Sequence, residues 1–90
     1  MASRAIRFEK SCDEAAEKIG GYELIDESLD RFWEAISRNP YGFPKVESEW
    51  GTIRYVRTIA SGDCPPLLWY FEIKISGDVA FVWVEIDDDP

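Results

Sequence analysis

Two runs decide the fold class: Gly51-Thr-Ile-Arg-Tyr-Val-Arg-Thr-Ile59 and Leu67-Leu-Trp-Tyr-Phe-Glu-Ile-Lys-Ile75, separated by Ser61-Gly62-Asp63 and Pro65-Pro66. The first is rich in β-branched residues and alternates, with Ile53, Tyr55 and Ile59 set against Arg54, Val56 and Thr58. The second places Leu67, Trp69, Phe71, Ile73 and Ile75 on one face and Leu68, Tyr70, Glu72 and Lys74 on the other. Ser76-Gly77-Asp78 is a second turn, after which Val79 to Ile86 returns as a hairpin partner. A period of two held across three such runs predicts a three-stranded antiparallel meander.

A sheet face this apolar must be covered by another element. The preceding segment supplies one. Ile25, Leu29, Phe32 and Ile36 recur at spacings of four, three and four, with Trp33 widening the stripe, while Asp26, Glu27, Asp30, Arg31 and Glu34 cover the opposite side. The pattern predicts a helix over about residues 22–38, stopped at Asn39-Pro40 because a residue before proline is driven out of the helical region. Gly42 and Pro44 then make 41–50 an irregular loop carrying Tyr41, Phe43 and Trp50. Towards the start, Ile6 and Phe8 alternate in a short strand. Ser11-Cys12-Asp13-Glu14 reads as a capping box that opens a shorter helix, closed by Gly20-Gly21 and packed through Ala15, Ala16 and Ile19. The expectation is one α+β domain over residues 1–90, its long helix laid over the meander, with a flexible acidic tail at 87–90.

Composition narrows the function classes. The chain has 90 residues, 46% of them hydrophobic, including four Trp, four Tyr and five Phe, which is far from the composition of disordered chains. Ten basic residues stand against eighteen acidic ones, and the net charge of −8 opposes attraction to phosphate backbones. No apolar run reaches the ~20 residues of a membrane helix, and no apolar stretch follows the first basic residues, so a cytoplasmic protein without membrane contact is expected. There is no histidine, which removes Ser-His-Asp and Cys-His mechanisms. Cys12 and Cys64 are far apart and form no Cys-x-x-Cys pair, so two reduced thiols are expected, with no metal and no cofactor.

The order strand, short helix, long helix, Asn39-Pro40, Gly42-x-Pro44 loop and a meander opening on Ile53-Arg54-Tyr55 resembles the RelE/ParE superfamily of toxins from bacterial type II toxin–antitoxin systems. The resemblance runs over residues 6–86 as a pattern of elements. It implies a cytoplasmic toxin-like module with a cognate antitoxin protein as partner and, by branch, the ribosome with its mRNA, or DNA gyrase, as target. It also implies that Arg54 matches the strand arginine which, in the ribonuclease branch, supports the phosphate undergoing transfer, with Arg57 a neighbour by position. The sequence departs from that branch at its end, where Val84-Glu85-Ile86-Asp87-Asp88-Asp89-Pro90 stands in place of basic or histidine residues.

Cutting RNA through its 2′-hydroxyl needs a base, a cation for the phosphorane and an acid for the leaving oxygen. Arg54 or Arg57 fits the cation, Glu47 or Glu49 the base, and Tyr70 or Lys74 the acid, but each type occurs as readily in an ordinary sheet. Trp69 and Trp83 alternate with Phe71 and Phe81 and are expected in the core. The alternative to a toxin is a non-catalytic protein-interaction domain binding through Tyr41, Phe43 and Trp50 of the aromatic loop 41–50, or through the acidic helix.

Overall fold

The computed structural model describes residues 4–49 and 51–88. They form an α+β structure in the order β1 (Ile6–Phe8), α1 (Lys10–Ile19), α2 (Tyr22–Ile25), α3 (Glu27–Arg38), a 3-10 turn (Pro40–Gly42), β2 (Lys45–Ser48), β3 (Gly51–Arg57), β4 (Leu67–Ile73) and β5 (Val79–Ile86). The meander β3-β4-β5 is present, but it is the centre of a larger object: a five-stranded mixed sheet in the order β1-β5-β4-β3-β2. Of the two outer strands, β1 is the short strand expected at Ile6 and Phe8, and β2 departs from expectation. The loop 41–50 is not irregular throughout, since Lys45–Ser48 pairs antiparallel with Gly51–Arg54. The first strand pairs parallel with the last, Ile6 opposite Val79 and Phe8 opposite Phe81.

The helical half differs from its expected form in two places. Tyr22 to Arg38 is two helices meeting at Asp26, which keeps helical dihedrals (φ −66°, ψ −27°), so the apolar stripe continues across the junction. Ile25, Leu29 and Ile36 are fully buried, whereas Trp33 is 40% exposed at the margin of the stripe, stacked on Phe8 with centroids 6.4 Å apart. The capping box at Ser11 does not form. Helix α1 starts from Glu9, without a side-chain cap, and the Ser11 hydroxyl donates instead to the Val82 carbonyl at 2.6 Å. Gly20 closes α1 as expected at φ 137°, and Gly20 and Gly21 both donate to the Ala16 carbonyl. The positive φ holds this residue as glycine, and a Cβ there would also push aside the tip of Leu24, 2.7 Å away at Cδ2.

The helices share one core with one face of the sheet. Cys12, Ala15 and Ala16 of α1 join Ile25, Leu29 and Ile36 against Val56, Leu67, Trp69, Phe71, Val79, Phe81 and Val84. Trp69 is buried as expected, and its indole N–H donates to the Ser28 hydroxyl at 3.1 Å, which in turn donates to the Ile25 carbonyl. Trp83 is not in the core. Phe71 pairs with Phe81 and Tyr70 with Trp83, so Val82 is one residue too many and β5 carries a bulge. The extra residue reverses the parity of the rest of the strand. Phe81 and Val84 both face the helices, and Trp83 turns to the other side, 38% exposed.

Candidate functional site

Arg54 lies on β3 opposite Phe71, and therefore on the helix-facing side of the sheet at its β2 end. Its Nη1 donates to the carbonyls of Phe43 at 2.8 Å and Tyr41 at 3.1 Å, and its guanidinium stands 5.6 Å from the centroid of the Tyr41 ring. The arginine thus ties the strand to the turn after α3. Phe43 of that turn folds inward, edge-on to Phe71 at 5.9 Å and to Phe32 at 6.4 Å. Tyr41 stays 56% exposed. Trp50 lies outside the described residues.

Arg57 is three residues from Arg54, an odd number along a strand, so the two guanidinium groups leave opposite faces of the sheet. Arg57 stands opposite Leu68 and pairs through Nε with Asp87 at 3.2 Å. The Asp87 carboxylate is almost wholly enclosed, and its backbone N–H donates to the Pro66 carbonyl, so Asp87 belongs to the folded body. The remaining candidates for an RNA-cutting constellation are scattered. Glu47 accepts from the Thr52 hydroxyl at the sheet edge, and Lys74 is paired with Glu72 and, at 3.7 Å, with Glu9. Tyr70 donates to Glu85 at 3.3 Å. Its own acidity is weakened, first by burial and then by the Glu85 charge.

The side of the sheet away from the helices carries Val46, Ile53, Tyr55, Tyr70, Val82 and Trp83. Tyr55 and Tyr70 sit across β3 and β4 with ring centroids 6.3 Å apart. Val46, Ser48, Ile53, Tyr70, Glu72, Val82 and Trp83 enclose a shallow concavity of ≈ 510 Å³ there. One carboxylate fixes its aromatic wall: Glu85 accepts from the Tyr70 hydroxyl and from the Trp83 indole N–H at 3.2 Å. Strict alternation, which sends Trp83 into the core, hides this surface. Its signal in the sequence is Val79-Ala-Phe-Val-Trp-Val84, six apolar residues in a row where a half-exposed strand should alternate.

Both cysteines are buried and unbridged. Burial pushes the Cys12 thiol up to about 11, which leaves it protonated and unreactive at neutral pH. Tyr22, which donates to Asp13 at 2.6 Å beside it, is also pushed up, first by burial and then by that bond. Among the described residues no helix is long and apolar enough to cross a membrane. No family model, curated protein or solved structure matches the chain.

Proposed function

We propose that this chain is a RelE/ParE-like, toxin-type module of a bacterial toxin–antitoxin pair that acts by binding a protein and not by cutting RNA. The order strand, helices, proline turn and meander supports the first half of that reading. The engagement of Arg54 carries the second half. A guanidinium that holds two loop carbonyls and stacks on Tyr41 is not free to neutralise a phosphorane, and the candidate acids and bases are distributed over both faces and the edge of the sheet. A net charge of −8 further disfavours RNA as the ligand.

A second reading, a protein-interaction domain outside any toxin–antitoxin system, is favoured by the exposed Tyr41 ring and the open aromatic side of the sheet. Induced expression in a bacterium, alone and together with any small gene found adjacent to its own, separates the two. Growth arrest relieved by the neighbour, with no mRNA cleavage at the ribosome, is the expected result. Absence of arrest selects the interaction domain. Ribosome-dependent cleavage that disappears in Arg54→Ala, with folding intact, would overturn the non-catalytic reading.

A further inference from the structure

We infer that the hollow between β1 and the first turns of α3 receives one basic side chain, arginine or lysine, of a partner protein. This rests on the protein-binding reading above and assigns a contact point and the chemistry of its occupant.

Phe8, Leu29 and Trp33 line a hollow of ≈ 260 Å³, and Asp26 and Asp30 complete its lining. Helical spacing brings the last four together: Asp26, Asp30 and Trp33 stand at i, i+4 and i+7, with Leu29 between them on the same face. The aromatic part is fixed before any ligand arrives. Trp33 is stacked on Phe8 with 27° between the ring planes, and Phe8 is itself stacked on the buried Phe81 at 5.2 Å. A ligand therefore gains the exposed indole without the cost of ordering it.

The charge belongs to the same hollow. Neither the Asp26 nor the Asp30 side chain has a hydrogen-bond or ion-pair partner among the described residues. Asp30 also borders the cleft that holds Arg31 and Arg57, but it is ion-paired to neither. Acidic residues at the start of α3 suit the helix dipole, which accounts for the carboxylates but not for an indole left 40% exposed beside them. Two carboxylates among three apolar side chains supply too few oxygens for a hard metal ion. An organic cation satisfies both halves: its alkyl stem covers the apolar lining, and its charge meets the indole and the carboxylates. The hollow admits one side chain and is smaller than the about 300–1,000 Å³ of pockets that enclose free small molecules, so the cation is one carried by a protein.

The test uses the full chain and three blocked glycine peptides whose central residue is arginine, lysine or the uncharged isostere citrulline. Binding is read from the Trp33 indole N–H and the backbone amides of Leu29 and Asp30. The arginine and lysine peptides are expected to shift these signals, and the citrulline peptide to leave them in place. Asp26→Asn and Asp30→Asn should each weaken the arginine peptide about three- to fivefold. Trp33→Leu, which keeps apolar area but removes the indole, should do the same, with the thermal midpoint of each variant recorded alongside. Glu17→Gln removes one exposed charge of α1 outside the hollow and should leave the affinity unchanged. An equal response to citrulline, equal weakening in Glu17→Gln, no shift at Trp33, or tighter binding of spermidine than of triarginine would each overturn the proposal. Failure here removes the contact point and leaves the toxin-type reading standing. A bound peptide without growth arrest keeps the contact point and removes only the toxin–antitoxin context.

Discussion

Arg54, conspicuous in the sequence, is held in the structure by the turn after α3. An arginine set in an apolar strand invites a catalytic role, but its position opposite Phe71 turns it toward the helix side, where the carbonyls of Tyr41 and Phe43 need donors. Arg54→Ala should therefore destabilise the fold by ~1–3 kcal/mol in denaturant titration, through two carbonyls left without their charged donor. Arg54→Lys should recover only part of that, because a compact ammonium can donate to the carbonyls but has no planar face to lie over Tyr41. Wild-type stability in Arg54→Ala would remove the latch. The separation of Arg54 from Arg57 was legible from spacing alone, since an odd offset on a strand divides the faces. The carbonyls that engage Arg54 were not legible, because they belong to a turn whose path is fixed by Phe43 packing on Phe32 and Phe71.

At the scale of elements, β5 carries the feature that hydrophobic patterning could not register. Its bulge makes two one-residue deletions unequal. Removing Val82 joins Phe81 directly to Trp83 and leaves both residues facing as they do now, at the cost of the Ser11 hydrogen bond, about 1–2 kcal/mol. Removing Val84 moves Glu85 opposite Trp69 and into the core, and should abolish cooperative unfolding, since an unpaired buried carboxylate costs more than ~4 kcal/mol. Circular dichroism with urea titration of both variants checks this, and equal damage in the two would contradict the register. Strand β2 has a different vulnerability. It is a fully exposed four-residue edge bearing Lys45 and Glu47, charges that discourage pairing with another chain. The double change Lys45→Val, Glu47→Val should promote concentration-dependent association in light scattering. The sequence did not announce β2 as a strand because Gly42 and Pro44 precede it and it is too short to show a period.

For the whole molecule, the clearest solution property is its alkaline limit. Burial raises Cys12, Cys64, Tyr22 and Tyr70 above their ordinary values, and each is a group that ionises more readily once the chain unfolds. Their contribution to stability is complete below the unfolded value and is lost as pH rises towards the folded one. For Cys12 that window runs from 9.0 to about 11. The thermal midpoint should fall through this range, and Cys12→Ala should flatten the fall while lowering the starting value. An identical slope in Cys12→Ala would show that this thiol is not linked to unfolding. The α+β class, the meander and the residues of the helical stripe were legible because hydrophobic period reports which side of an element meets the core. The parallel pairing of β1 with β5 was not, because period says nothing about which distant strand a segment joins.

That pairing also imposes an order in time. During synthesis α1, α2 and α3 leave the ribosome long before residues 79–86, yet the sheet surface that holds α1 is built around β5, and β1 has no other strand beside it. The nascent chain therefore carries its most apolar helical stripe uncovered until the β4-β5 hairpin emerges. Over that interval it depends on the acidic faces of its helices, and on whatever factors attend the ribosome, to stay apart from its neighbours.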